Sequence, residues 1–147
     1  KQYKNVQNTC SELLRLGILP IVNENDTVAT DEINFGDNDG LAAQVGQLID
    51  ANLVVLLSDV DGLYYDLAGK KKVFSHINKI TASVKKHLFS KKSEKTLGGM
   101  QSKLSAAAHL MQAGVPSIIA NGKKKGVLRE LLSGAEVGTL FLKGKTR

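Results

Sequence analysis

Five short polar segments hold most of the side chains able to do chemistry in this sequence. The first two, Asn23-Glu24-Asn25-Asp26 and Gly36-Asp37-Asn38-Asp39, place Glu24, Asp26, Asp37, Asn38 and Asp39 within 16 residues. Oxygen-rich side chains at that density could hold a metal ion, organise a lysine, or hydrogen-bond an amino or hydroxyl group of a small substrate. Asp and Asn also build turns, and Asp39 is well placed to cap a helix beginning near Gly40. Both readings stay open on pattern alone.

The third segment, Ser58-Asp59-Val60-Asp61-Gly62, follows an apolar run. A carboxylate there could hold Mg2+ or a ribose, while an Asp-Gly dipeptide is also an ordinary turn former. The turn reading explains Asp61 well and Asp59 less well. The fourth segment is Ala120-Asn121-Gly122-Lys123, at the end of another apolar run. The fifth is Thr96–Lys103, with Leu97, Gly98, Gly99, Met100, Gln101 and Ser102 between. Its glycine pair is expected to open a helix, where backbone N–H groups attract phosphate and the absent side chains allow close approach. Lys103 would then lie in the first turn, where the helix dipole opposes a cation by about 0.3–1 kcal/mol. A bound anion reverses that sign, and a long lysine extending into solvent avoids the cost. The P-loop pattern GxxxxGK[ST] is absent, which excludes a Walker NTPase.

Other residues offer less. His76, His87 and His109 lack the spacing of zinc ligands, and Cys10, before a leucine-rich stretch, reads as a packed thiol. The runs Lys70–Lys72 and Lys123–Lys125 read as solvated loops, because 5% aromatic content without tryptophan argues against a nucleic-acid module.

The elements that must position these segments follow from periodicity. Thr9 or Ser11 can cap a helix through Leu16, which Gly17 closes. A strand is expected at Leu19–Asn23, and a small hairpin or extended loop at Val28–Phe35. Leu41, Val45, Leu48 and Ile49 give the stripe of an amphipathic helix. Leu53–Leu57 reads as a strand buried on both faces. Residues 70–95 read as a surface excursion with a short helix near Ser83–Leu88. A helix beyond Gly99, stopped by Gly114 and Pro116, a strand at Ser117–Ala120, a helix around Val127–Leu132 and a strand at Thr139–Leu142 complete the order. Alternating helices and strands of this kind predict an α/β fold, a three-layer αβα sandwich with a mostly parallel sheet. Ligands of such sheets gather beyond the carboxyl ends of the strands, where the polar segments fall.

The 147 residues, 42% of them apolar, suit one domain with a sizeable core. The net charge of +6 divides into −8 for residues 1–69 and +14 for residues 70–147. No apolar run approaches the roughly 18 residues of a membrane span, the N-terminal residues lack the apolar core of a signal peptide, and one cysteine builds no internal disulfide. A soluble, reducing, cytoplasmic setting is expected.

Taken together, LPIVNENDTVATDEINFGDNDGLAA, LVVLLSDVDGLYYD, LGGMQSKLSAA, IANG and VGTLF closely resemble the glutamate 5-kinases of the amino acid kinase superfamily, over about Thr9 to Leu142. The SDVDGLY element is shared with aspartate, N-acetylglutamate and uridylate kinases, whereas NEND joined to GDND is particular to the glutamate kinases. The resemblance implies ATP-dependent phosphorylation of the L-glutamate side-chain carboxylate, the first step of proline synthesis, with Mg2+, proline as a feedback inhibitor and a homo-oligomeric assembly. It places Asp26 and Asn38 on glutamate, Ser58, Asp59 and Leu97–Lys103 on ATP, Lys103 on the transferring phosphoryl group, and Asp39 as the organiser of phosphate-binding lysines. Ser58 stands where threonine is usual, and Leu97 replaces the threonine of GTGGM. The resemblance also implies an incomplete kinase domain, lacking the N-terminal strands that complete both sites, and no PUA domain. Rival readings are another kinase of the superfamily, acting on N-acetylglutamate, aspartate or UMP, and a basic nucleic-acid-binding module.

Overall fold

The computed structural model describes residues 2–23, 38–67, 70–82, 84 and 94–143. Helix α1 spans Gln2–Arg15, so it begins well before the cap expected at Thr9 or Ser11. The Thr9 hydroxyl instead donates to the Asn5 carbonyl at 2.9 Å. A threonine inside a helix can bond backward in this way, so its presence does not by itself mark a helix start. The predicted end is correct. Gly17 takes φ 73°, and the amides of Gly17 and Ile18 reach the carbonyls of Leu14 and Leu13 at 3.0 and 2.9 Å. Cys10 is buried, as a packed thiol should be.

The strand expected at Leu19–Asn23 is not formed. A strand that is apolar on both faces needs neighbours on its edges and faces, and Ile21 is 93% exposed. The predicted hairpin at Val28–Phe35 lies outside the described residues. So does nearly all of the helix expected at Ser83–Leu88.

Helix α2 (Asn38–Leu48) follows, and then strand β1 (Val54–Ser58). Tyr64–Leu67 (β2) and Lys70–Val73 (β3) form an antiparallel hairpin, with the Tyr65 and Phe74 rings 4.5 Å apart, so the expected surface excursion of residues 70–95 opens on a strand. The three lysines of β3 are exposed and Val73 is half-buried, so the apolar alternation that identifies a strand is missing. A short strand β4 (His76–Ile77) was likewise not anticipated. The remaining elements are α3 (Glu94–Ala113), β5 (Ser117–Asn121), α4 (Val127–Leu132) and β6 (Thr139–Phe141). Gly114 closes α3 as predicted, with φ 80° and a Val115 amide donating to the Leu110 carbonyl at 2.9 Å.

The main sheet runs β1-β5-β6-β4. β1 is parallel to β5 and β4 to β6, while β5 and β6 meet antiparallel. Leu56, Ile77, Ile119 and Phe141 face α2 and α3, which contribute Ala43, Leu104, Ala107 and Leu110. Ile118 and Ala120 face Val127 and Leu131 of α4 on the opposite side. This is the expected αβα sandwich. β1 is covered on both faces, as its composition suggested, with Val54 and Leu56 on the side of α2 and α3 and Leu53 and Val55 on the side of α4, although Leu57 near its end is exposed. Among the described residues no helix is long and apolar enough to cross a membrane.

The turn after β1 is tied to the far end of the chain. Thr139 is fully buried, and its Oγ1 accepts the Leu63 amide at 2.8 Å. Thr139→Val preserves the shape but orphans that amide, so it is expected to lower the unfolding free energy by about 1–3 kcal/mol in urea titration. Thr139→Ser, which keeps the acceptor, should lose less. A valine variant as stable as the parent would show that the bond does not hold the turn.

Candidate functional site

Helix α2 begins at Asn38, so Asp39 sits within its first turn, where a carboxylate is favoured by the helix dipole. Asp39 does not act as the predicted cap. Its carboxylate crosses to α3 and receives the Lys103 ammonium on both oxygens, Nζ lying 3.0 Å from Oδ1 and 2.8 Å from Oδ2. Ser102 Oγ donates to the same Oδ2 at 3.1 Å. The side chains of Lys103 and Asp39 are only 15% and 17% exposed. Asp39 accounts for two of the ammonium's three donors and fixes its position between the two helices. Two residues that the sequence separates by 64 positions thus form one charged unit.

The surroundings of Lys103 differ from the sequence expectation. α3 starts at Glu94, so Gly98 and Gly99 lie inside the helix and Lys103 is its tenth residue, outside the first turn. The free N–H groups expected at Gly98-Gly99 are therefore not those of a helix start. Interior glycines cost about 1 kcal/mol each relative to alanine. That penalty is borne by a 20-residue helix anchored by buried Leu104, Ala106, Ala107, Leu110 and Met111. Among the described residues there is open space around Gly99, since an added Cβ would have no heavy atom of theirs within 4 Å. Met100 is half-buried and packs against the core, while Gln101 is exposed.

Asn38, next to Asp39, is exposed. Asp26, with Glu24 and Asp37, lies outside the described residues. Ser58 and Asp59 stand at the carboxyl end of β1, as predicted, with a long 3.4 Å bond from Ser58 Oγ to Asp59 Oδ1. Asp61 proves to be more than a turn former. Its Oδ1 accepts from Asn121 Nδ2 and from Lys124 Nζ, each at 2.9 Å, and its own amide donates to Tyr64 Oη at 3.3 Å. Lys124 first, and then Asn121, hold the Asp61 carboxyl below its ordinary range, and Asp61 in turn raises Lys124. The sequence signal was available: SDVDG and ANGKKK end neighbouring parallel strands, but the distance along the chain concealed the pairing.

His109 is engaged by Gln47, Nε2 lying 2.7 Å from Oε1, so it bridges α3 and α2. Among the described residues no three His, Cys, Asp or Glu side chains come together as metal ligands. A groove of about 550 Å³ lies between residues 20–23, α2 and β1, lined by Val22, Leu41, Val45 and Val54 with Asn23 and Asn38.

The model of the amino acid kinase family matches residues 1–121. The chain is 45% identical to the glutamate 5-kinase of Enterococcus faecalis, over 95% of this chain and 54% of that protein. It is 43% identical to the glutamate 5-kinase of Listeria innocua, over 97% of this chain and 54% of that protein. The chain thus spans about half the length of these curated relatives. Among solved structures, UMP kinase from Bacillus anthracis superposes with a TM-score of 0.63 at 16% identity, over 92% of this chain and 50% of that one. N-acetylglutamate synthase from Neisseria gonorrhoeae superposes with a TM-score of 0.56 at 22% identity, over 74% of this chain and 24% of that one. These two likenesses concern the fold.

Removing one member of a largely buried ion pair leaves the other charge desolvated and unmatched. Asp39→Ala and Lys103→Ala are each expected to cost about 2–4 kcal/mol of stability by denaturant titration. The double variant should lose less than the two losses combined, by more than about 1 kcal/mol. Strict additivity would mean that the two groups do not depend on each other.

Proposed function

The chain belongs to the amino acid kinase family, and from that membership we propose that it carries the nucleotide-binding part of a glutamate 5-kinase. In this reading a γ-carboxylate oxygen of L-glutamate attacks the γ-phosphorus of ATP. The bond to the β–γ bridging oxygen breaks, ADP leaves with the electron pair, and glutamyl 5-phosphate forms for proline biosynthesis. The observation that carries the reading is the Lys103–Asp39 pair, an ammonium held in place between α2 and α3.

Phosphoryl transfer is catalysed chiefly by positioning and by stabilising charge, so a fixed cation is the group it most needs. Lys103 meets that need. Two of its protons are directed to Asp39, and the third can turn to an oxygen of the transferring phosphoryl group. Asp39 is the positioning residue that holds it. Asn38 begins the same helix and, with Asp26 of the acidic NEND segment, is assigned to glutamate, whose ammonium group carboxylates can recognise.

ATP is assigned to Ser58 and Asp59 and to the segment Leu97–Lys103. That segment is interior helix, so its contribution rests on the open surface at Gly99 and on Lys103 rather than on free N–H groups. Mg2+ fits as an ion brought by the triphosphate, since it keeps several waters and takes only one or two protein carboxylates. Asp59, exposed at the end of β1, is the described carboxylate suited to that role or to the ribose. When bound, the ion would offset charge on the phosphate oxygens. A cytoplasmic location, a homo-oligomeric assembly and proline feedback complete the reading on the strength of the glutamate 5-kinase likeness.

The intact protein is expected to release ADP from ATP and Mg2+ only when L-glutamate is present. No glutamate-dependent release would refute the assignment, and a preference for UMP, aspartate or N-acetylglutamate in the same panel would move it to another kinase of the family. Salt-sensitive retardation of RNA or DNA without kinase activity would favour a nucleic-acid role for the basic half. Within the kinase reading, Lys103→Ala should lower kcat by at least about 100-fold, while Asp26→Ala should chiefly raise the KM for glutamate. The reverse pattern would exchange their roles.

A further inference from the structure

Beyond the residues assigned above, the turns that leave β1 and β5 are fastened to each other by side chains. The strands are parallel and in register, with Ser58 opposite Asn121. Their hydrogen bonding continues one step past the strands, where the Gly122 amide donates to the Ser58 carbonyl at 2.8 Å. The two exits touch, since a Cβ at Gly122 would come 3.1 Å from Leu57 Cβ.

Asn121 then links the turns. Its Oδ1 accepts the Lys123 amide at 3.0 Å, which orients the side-chain amide and sends Nδ2 to Asp61 Oδ1 at 2.9 Å. Lys124 Nζ reaches the same oxygen at 2.9 Å. Asp59 is therefore bracketed between two anchors, the Ser58 carbonyl on one side and the Asp61 side chain on the other. Lys124 and Asp61 are about half exposed, and pairs of that kind add little to stability. Their consequence is geometric.

We propose that Asn121 and Asp61, with Lys124, are positioning residues for the nucleotide: the clasp holds Ser58 and Asp59 at the spacing that ATP requires. This inference rests on the assignment of Ser58-Asp59 to ATP. In the wild-type pair, an amide donates to a carboxylate. Exchanging the two residues, Asp61→Asn with Asn121→Asp, keeps one amide and one carboxylate facing each other. It also leaves a carboxylate oxygen to accept the Lys123 amide.

The test measures the KM for ATP and the KM for glutamate in the intact protein. Asn121→Asp alone sets two carboxylates face to face, and is expected to raise the KM for ATP about tenfold with the KM for glutamate moving less than about twofold. The exchanged double variant should return the KM for ATP to within about threefold of wild type. A merely structural pair would not give this selectivity for ATP, and the rescue shows that the bond between the two side chains is its source. If Asn121→Asp fails to fold, Asp61→Ala carries the same expectation for the two KM values. An unchanged KM for ATP, a parallel rise in both constants, or a folded double variant without recovery would overturn the proposal. The two readings fail separately, because equilibrium binding of ATP with Mg2+ tests the clasp even in a protein that does not phosphorylate glutamate. In that assay the same single-variant loss and double-variant recovery are expected in Kd, and their absence refutes the clasp alone.

Discussion

The site depends on one ion pair that joins two helices. Lys103 and Asp39 are nearly buried, so neither could stand alone without a large desolvation cost. Each therefore fixes the other, and Ser102 adds a third bond to the same carboxylate. The consequence reaches beyond stability. An ammonium held on a rigid helix, by a carboxylate on a second rigid helix, is a cation whose position is set before any ligand arrives. Reactions that transfer highly charged groups gain most from charge placed in advance.

The sheet performs the complementary task. β1 and β5 run parallel, so their carboxyl ends deliver SDVDG and ANGKKK to the same end of the structure. Buried Thr139 holds the first of these turns to β6 through the Leu63 amide, and Asn121 holds it to the second. The turns are consequently fixed from two sides by side chains distant in sequence. The αβα layering makes this possible, because α2 and α3 cover one face and α4 the other, and the strands run between them to the two turns.

Much of this was legible in the residues. The alternation of apolar strands and amphipathic helices identified α2, β1, β5, α4 and β6, and Gly17 and Gly114 marked two helix ends through their positive φ. Local pattern failed where the deciding forces were not local. The strand expected at Leu19–Asn23 needs neighbours that its own composition cannot supply. β3 is hidden by three lysines that pair across a hairpin instead of alternating. Gly98-Gly99 resembles a helix opening because glycine punctuates chains, yet the burial of Leu104 through Met111 carries the helix past it. The site shows the same division. Lys103, Asp39, Ser58 and Asp59 stand out by type and spacing, whereas the bonds of Ser102, Asn121 and Lys124 arise from tertiary proximity.

The most direct examination of the account is a crystal structure of the intact protein with Mg2+ and a non-hydrolysable ATP analogue. A γ-phosphate oxygen is expected within about 3 Å of Lys103 Nζ, with Asp39 still bonded to that ammonium and the nucleoside against the turns that follow β1 and β5. A nucleotide bound elsewhere, or phosphates making no contact with Lys103, would contradict it.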